Sequence, residues 1–163
     1  MIRSAQEADL SRIAEILVYA KRTAYRSIFQ DDYGSFADLQ VLKVVREYQA
    51  QPHLLARTLV FEEGGIVKGL LSREFNPDSA EAELCELYVD PFFWKMGVGQ
   101  ALMNYFIQEA AAAGKEKVLL WVICANQSAR AFYERNGFLS SGEIRLVEGT
   151  PIAEMRYCRK LKE

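Results

Sequence analysis

The segment between residues 83 and 137 restricts the fold more than any other part of the sequence. Glu83–Val89 has the composition of a strand, and Gly97–Ala113 then carries apolar residues at helical spacing, among them Val98, Leu102, Tyr105 and Phe106. Lys117–Cys124 is almost continuously apolar, which is typical of a central strand covered on both faces. A strand, a helix and a second strand in this order predict two parallel strands joined by a right-handed crossover.

The rest of the sequence extends this unit into a mixed α/β fold with the order β-α-α-β-β-β-α-β-α-β-β. We expect a single domain over residues 1–163, because no repeat, linker or low-complexity tract divides the chain. A further helix is predicted to start at the cap residue Asn126 and to end at Asn136-Gly137. The remaining strands are predicted at Ile2–Ala5, Arg57–Glu62, Ile66–Phe75, Phe138–Val147 and Ile152–Leu161.

Two helices are predicted before the first long strand. Asp9 is the expected cap of the first helix, and Ser35–Asp38 has the pattern of a capping box that opens the second. Between them lies an aromatic and acidic segment, Tyr25–Tyr33, which we interpret as the connection between the helices. The apolar face of the second helix is predicted to consist of Leu39, Leu42, Val45 and Tyr48.

Charge and hydropathy argue against several functional classes. The formal net charge is −2 and the pI is about 5.6, so the chain lacks the basic excess with which nucleic-acid-binding proteins meet phosphates. Apolar stretches are too short to cross a bilayer, and the first residues lack the apolar core of a signal peptide. We therefore expect a cytoplasmic protein without nucleic-acid or membrane partners. The one basic cluster, interpreted as a solvated strand edge, consists of Arg156, Arg159, Lys160 and Lys162.

The cysteines and the single histidine give little support for a metal centre. Cys85, Cys124 and Cys158 form no CxxC pair, and His53 is the one histidine that could join them, so no metal is expected. We interpret the cysteines as small buried side chains and His53 as a surface loop residue. An acyltransferase that uses Cys85 or Cys124 as nucleophile stays an alternative, although the sequence offers no evident base for the thiol.

A glycine-bearing loop joins the strand Glu83–Val89 to the helix that follows. Gly97 and Gly99 remove side chains where a ligand would approach the backbone, and the N-terminus of a helix presents unpaired N–H groups with a partial positive charge. Such an arrangement suits a pyrophosphate group. The GxG pattern alone also fits a strand–helix turn that binds no ligand.

A second motif favours the ligand-binding interpretation. Residues 126–138 read Asn-Gln-Ser-Ala-Arg-Ala-Phe-Tyr-Glu-Arg-Asn-Gly-Phe and follow the second parallel strand. Together, the two motifs resemble the acetyl-CoA loop and the Asn-x-x-Ala-x-x-x-Tyr-Glu-x-x-Gly-Phe helix of the GNAT superfamily of N-acetyltransferases, and the element order is similar over essentially the whole chain. The sequence departs from the family pattern at Trp94, where Gln or Arg is usual, and at Lys95, which is often Gly.

The resemblance implies a fold, a reaction and a donor. The fold would be GNAT-like, with a central, mostly antiparallel sheet splayed between two parallel strands. The reaction would transfer an acetyl group from acetyl-CoA to a primary amine of a small molecule or peptide, by direct attack within a ternary complex. A non-catalytic acyl-CoA-binding or regulatory domain on the same fold is the alternative.

The resemblance also implies roles for individual residues. The pantetheine would hydrogen-bond along the end of the strand before the loop, and the Val89 N–H would donate to the developing oxyanion. Tyr133 would lie near the sulfur as general acid. The residues assigned in this way to acetyl-CoA are Leu87, Tyr88, Val89, Trp94, Lys95, Met96, Gly97, Val98, Gly99, Gln100, Asn126, Ala129 and Tyr133.

The general base is less constrained. Some related enzymes carry a glutamate where Trp121 stands in this sequence, and others carry one at the position of Glu83. Glu86 is a second candidate, and bulk water is a third. On a regular strand the two glutamates face opposite sides, unless a bulge intervenes.

The acceptor amine is not specified by the motifs. By resemblance it would pass the first two helices, so Tyr25 and Phe29 are the predicted substrate-binding residues. Asp31 and Asp32 would favour a cationic amine, although the whole segment could equally be an ordinary connection between helices. The partners considered are the amine substrate and a second copy of the chain.

Overall fold

The computed structural model describes residues 1–161 and contains seven strands and five α-helices. The strands are β1 (Ile2–Ser4), β2 (Thr58–Glu63), β3 (Ile66–Phe75), β4 (Glu81–Val89), β5 (Lys117–Ile123), β6 (Leu139–Leu146) and β7 (Ala153–Lys160). The helices are α1 (Leu10–Phe29), α2 (Val41–Ala50), α3 (Pro52–Ala56), α4 (Val98–Ala112) and α5 (Gln127–Arg135). Within the described residues, every helix is too short or too polar to span a bilayer.

The strands follow the order β1-β2-β3-β4-β5-β7-β6 in one sheet. Antiparallel pairing joins β1 to β2, β2 to β3, β5 to β7 and β6 to β7, whereas β4 and β5 run parallel. The parallel register runs from the pair Glu81 and Lys117 to the pair Leu84 and Leu120, so it covers only the first half of β4. The predicted mixed α/β fold, with one parallel pair in a mostly antiparallel sheet, is confirmed.

The chain forms two compact units, whose boundaries in the sequence fall within β3, β4 and α4. The first comprises Met1–Arg73 and Glu86–Phe106. The second comprises Glu74–Cys85 and the chain from Ile107 onward. The single-domain organisation expected from the sequence stays a prediction.

The core of the first unit is built on one face of α1. Side chains on this face pack against β2, β3 and α2, and burying each large aliphatic side chain contributes about 1.5–3 kcal/mol. The buried members of this core are Leu10, Ile13, Ala14, Ile16, Leu17, Val18, Val44, Tyr48, Val60, Val67 and Leu70.

Asp9 does not cap α1, contrary to the sequence prediction. Its carboxylate accepts a hydrogen bond from the Gln6 N–H at 2.8 Å and binds the Arg3 guanidinium through both oxygens at 2.8 and 2.9 Å. The hydrogen bond from Arg3 lowers the pKa of Asp9, with the Gln6 N–H adding to the effect against the opposing influence of burial. The aspartate is therefore used to join β1 to the short 3-10 turn Glu7–Asp9.

The predicted capping box at Ser35–Asp38 is also wrong. Gly34–Asp38 forms a π-helical turn, and α2 begins only after Gln40. Arg22 holds the turn by donating to the carbonyls of Ser35 and Leu39 at 2.8 and 2.9 Å. Because α2 starts later than predicted, its buried residues are Val44 and Tyr48, whereas Leu42 is exposed and Val45 is partly buried. Leu39, also partly buried, lies before the helix.

Three smaller predictions also need correction. His53 is exposed as expected, but it lies on the short helix α3 rather than in a loop, because Pro52 is well suited to the first turn of a helix. Among the described residues, the three cysteines form no disulfide and are half-buried rather than buried. In α4, Met103 is buried and Tyr105, which was expected on the apolar face with Val98 and Leu102, is exposed.

The basic cluster near the C-terminus does not form a strand edge. Strand β7 lies between β5 and β6 in the sheet, and Arg156 forms ion pairs with Glu143 at 2.6 Å and with Glu81 at 3.1 Å. Arg159 donates to the Asn136 carbonyl at 2.7 Å. Lys162 lies outside the described residues.

A close approach at Gly69 fixes the packing of β3 in the first unit. A Cβ atom at this position would lie 2.8 Å from Val98 Cγ1, 3.1 Å from the Tyr88 carbonyl oxygen and 3.3 Å from Leu102 Cδ1. Only glycine lets β3 pack this closely against the first turn of α4 and the end of β4.

We expect Gly69→Ala to destabilise the protein by about 1–3 kcal/mol, the usual cost of overpacking a core. Val98→Ala removes the atom nearest to the added methyl group. The double variant should therefore be less destabilised than the sum of the two single variants, as measured by urea denaturation. Strictly additive effects would show that Gly69 is not in steric contact with Val98.

Candidate active site

A buried ion pair anchors the point where β4 ends and the glycine-bearing loop begins. Asp90 is 5% exposed, and its Oδ2 atom lies 2.6 Å from Nη2 of Arg12 on α1. Its Oδ1 atom accepts from the Phe92 N–H at 2.9 Å, and its own N–H donates to the Lys68 carbonyl at 3.0 Å. Asp90 thus fixes the strand end and the loop start at once. Sequence reasoning missed this role because the partner is 78 residues away.

The loop turns through the left-handed region of backbone space at Lys95 (φ 62°) and Gly97 (φ 82°). At Gly97 a Cβ atom would meet nothing within 4 Å, so the glycine is required by the backbone angle and the space beside it is open. Helix α4 starts at Val98, and its first turn includes Gly99 and Gln100. Open space beside a helix N-terminus is the arrangement that suits a phosphate group.

Trp94 takes a structural role in this loop. Its indole Nε1–H donates to the Val89 carbonyl at 2.8 Å, while the side chain remains substantially exposed. The residue that departs from the family pattern therefore ties the loop back to the end of β4. Lys95 and Met96, which follow it, are exposed.

The second half of β4 presents Glu86 and Tyr88 to α1. The Lys21 ammonium lies 3.9 Å from Glu86 Oε1 and 5.6 Å from the centre of the Tyr88 ring. The hydroxyl groups of Tyr25 and Tyr88 are 3.4 Å apart, and the Tyr25 and Phe29 rings meet edge to face at 5.9 Å. Tyr25, which was predicted to bind the acceptor, is thus in contact with Tyr88, which was predicted to bind acetyl-CoA. Both acceptor residues lie on α1 rather than in a connection.

Burial of Tyr48 on α2 raises the pKa of its hydroxyl to about 12, with the negative charge of Glu86 adding to the effect. Tyr48 therefore stays protonated throughout the neutral range. It can serve as a hydrogen-bond donor beside Glu86 but not as a base.

The acids at the end of α1 already have partners. Asp32 binds Arg26 at 2.8 Å, and this hydrogen bond lowers the pKa of the aspartate. Asp31 accepts from the Gly34 N–H at 3.0 Å. The expectation that these two carboxylates select a cationic amine gains no support from this arrangement.

In the second unit, polar contacts fix α5 on β7. The Asn126 side chain caps the helix by accepting from the Ala129 N–H at 3.2 Å, as the sequence predicts. The buried Tyr157 hydroxyl donates to Glu134 at 2.7 Å and accepts from Arg130 at 3.1 Å. This arrangement was not foreseen, because its partners are spread over two elements.

Tyr133 lies on this anchored helix, two turns from the cap. Its half-buried ring makes edge contacts with Phe132 at 5.5 Å and with the fully buried Phe138 at 6.0 Å. These contacts restrict the direction in which the phenol can point.

Glu83 belongs to the second unit and lies between the buried residues Ala82 and Leu84. It is half-buried and pairs in register with Leu119 of β5. Its side chain therefore lies on the sheet face that carries Glu81, which is two residues away. Glu86, by contrast, belongs to the first unit, so the two base candidates have different surroundings. Within residues 1–161, no three His, Cys, Asp or Glu side chains are grouped to hold a metal ion.

Comparison with known proteins identifies the family. The sequence model of the acetyltransferase (GNAT) family matches residues 22–138, which is most of the chain. The chain belongs to the GNAT acetyltransferase family.

Individual relatives agree with this membership. An uncharacterized N-acetyltransferase of Methanocaldococcus jannaschii is 41% identical over 71 residues, which are 41% of this chain and 31% of that protein. The chain therefore spans about a third of the length of this GNAT relative. The L-amino acid N-acyltransferase MnaT of Escherichia coli is 28% identical over 147 residues, 88% of this chain and 81% of that one.

A solved structure supports the same fold. The PaiA N-acetyltransferase of Thermoplasma acidophilum, in complex with coenzyme A, superposes with a TM-score of 0.74 at 20% identity. The superposition covers 98% of each chain. At this identity the likeness concerns the GNAT fold alone.

Proposed function

We propose that this chain transfers an acetyl group from acetyl-CoA to a primary amine of a small molecule or peptide, by direct attack within a ternary complex. The observation that carries the proposal is the loop at the start of α4, which leaves open space beside Gly97 and is anchored by the pair of Arg12 and Asp90. The non-catalytic alternative is less well supported, because it gives no reason for a tyrosine at position 133 within the family motif.

Acetyl-CoA would be held mainly by backbone groups. The N–H groups of residues 97–100 would bind the pyrophosphate, assisted by the exposed ammonium group of Lys95. The strand end at Leu87–Val89 would hydrogen-bond the pantetheine. The N–H of Val89 would stabilise the oxyanion that develops on the thioester carbonyl.

The reaction forms a nitrogen–carbon bond and breaks the carbon–sulfur bond. The amine attacks the thioester carbonyl and loses a proton to Glu83. The thiolate of coenzyme A departs and receives a proton from Tyr133. General acid or base assistance of this kind typically contributes about a hundredfold to ten-thousandfold in rate.

Glu83 is the better base candidate of the two glutamates. Glu86 lies 3.9 Å from the Lys21 ammonium of α1, and its charge acts on Tyr48 of α2. Glu83 occupies the position that the family resemblance assigns to a base.

For the acceptor, the cellular location and the oligomeric state, we propose only a general class. The name of MnaT specifies an L-amino acid, which is a primary amine. We infer a cytoplasmic location, in keeping with cysteines that form no disulfide among the described residues. A homodimer is best supported by β6, an outer strand whose exposed apolar side chains are Leu139, Ile144 and Leu146.

Tyr133→Phe tests the acid. The substitution keeps the ring contacts with Phe132 and Phe138 and deletes only the hydroxyl. Turnover should fall by about a hundredfold or more, while the increase in melting temperature produced by acetyl-CoA is retained. Wild-type turnover would make Tyr133 a packing residue. Loss of the melting shift would show that its hydroxyl holds the donor.

Glu83→Gln and the matched variant Glu86→Gln test the base. If Glu83 accepts the proton, the Glu83→Gln rate should fall most near neutral pH and recover as pH rises, because more of the amine is then already neutral. Glu86→Gln should keep the shape of the wild-type pH–rate profile. The reverse pattern would transfer the role to Glu86, and unchanged profiles in both variants would leave proton removal to water.

A further inference from the structure

An arginine is stacked on a tryptophan in the second unit. The Arg145 guanidinium carbon lies 3.8 Å from the centre of the Trp121 ring. Nε of the same arginine donates to Glu154 Oε1 at 2.6 Å, and Arg145 and Glu154 are register partners on β6 and β7. Stacking on one side and the ion pair on the other hold the guanidinium in place.

The outer edge of this guanidinium is available to a ligand. The bond to Glu154 uses only Nε, and within residues 1–161 neither Nη1 nor Nη2 donates to a protein group. The Arg145 side chain is 54% exposed. A guanidinium that stacks through its flat face keeps its N–H groups in plane, where they match the two oxygens of a carboxylate.

The strand register places this stack on the same sheet face as Glu83. Glu83 pairs with Leu119, and Trp121 is two residues further along β5, so its side chain projects from the same face. Trp121 in turn pairs with Arg156, whose guanidinium reaches Glu81 on β4. The contact between Arg156 and Glu81 shows that side chains on this face meet across the strands.

Two other cations of this face, Lys117 and Arg156, already have carboxylate partners. Lys117 binds Glu81 at 2.5 Å, and Arg156 binds both Glu81 and Glu143. These ion pairs form a connected network of neutralised charges. Arg145 differs from them because most of its donors are still available.

We propose that Arg145, stacked on Trp121, binds the carboxylate of the acceptor, and that the acceptors are free amino acids rather than peptides. This inference rests on the proposed function. Glu83 and Trp121 are diagonal neighbours on the sheet, and such residues lie about 7–8 Å apart. One small molecule could therefore place its amine at Glu83 and its carboxylate at the arginine stacked on Trp121. In a peptide the α-carboxylate of the first residue is replaced by an uncharged amide, which forms no ion pair with a guanidinium.

The test compares each amino acid with its amide. Rates for L-leucine, L-leucinamide, L-phenylalanine and L-phenylalaninamide are measured for the wild type and for Arg145→Gln, and the two proteins are compared substrate by substrate so that amine basicity cancels. A hydrogen bond to a charged group contributes about 1.5–3 kcal/mol, which corresponds to about a 10-fold to 100-fold change. We expect kcat/KM to fall by this factor for the two acids, mainly through KM, and to change by less than about twofold for the amides.

Controls separate charge, packing and binding. Lys160→Gln removes an exposed positive charge from the same sheet and should leave all four rates unchanged. In a Trp94→Phe background Trp121 is the single tryptophan, so L-leucine should change its fluorescence when Arg145 is present and should not do so in Arg145→Gln.

Three results would contradict, respectively, the role of Arg145, the amino-acid class of the acceptor and the proposed acetyl transfer. Equal losses for acids and amides, or no loss for either, would overturn the role of Arg145. A wild-type preference for amides that persists after each rate is divided by the neutral fraction of its amine would overturn the amino-acid class. If the wild type acetylates none of these amines and no polyamine, aminoglycoside or peptide, the proposed function itself fails, while the fluorescence titration still decides whether Arg145 binds a carboxylate.

Discussion

The ion pair between Arg12 and the buried Asp90 is the contact on which the donor site depends. It joins α1 to the residue at which β4 stops, and the same aspartate fixes the first turn of the loop through the Phe92 N–H. Burying a carboxylate without a partner would cost several kcal/mol, so Asp90 can occupy this place only while Arg12 binds it. The direction of the loop, the hydrogen bond from Trp94 to Val89 and the start of α4 all follow from this point.

Much of the fold could be predicted because it depends on local patterns. The bounds of β3 and the turn at Gly64-Gly65 agree with the prediction, since positive φ angles at both glycines suit a tight hairpin. The caps that failed, at Asp9 and Ser35–Asp38, were overridden by arginines that lie outside the two capping motifs. Arg3 takes the carboxylate of Asp9, and Arg22 takes the carbonyls of the π turn. A local motif cannot indicate such competition.

In the candidate site, too, features set by local sequence motifs could be predicted, and features that depend on other elements could not. Gly97 adopts a positive φ angle just before α4, which agrees with the glycine-bearing loop that the motif predicts, and Asn126 caps α5 as its position suggests. Residues that act through side chains from other elements were missed. Arg12 and Tyr157 look like ordinary helix and strand residues in the sequence. Arg145 gave no signal, because only the register of β5, β7 and β6 brings it onto Trp121.

Direct transfer from acetyl-CoA to the amine is the central claim, and it separates this account from one in which Cys85 or Cys124 carries the acetyl group. The most direct measurement is the intact mass of the protein after incubation with acetyl-CoA alone, followed by addition of an accepted amine. The account predicts an unmodified protein, with coenzyme A released only once the amine is present. An acetylated cysteine that passes its acetyl group to the added amine would contradict it.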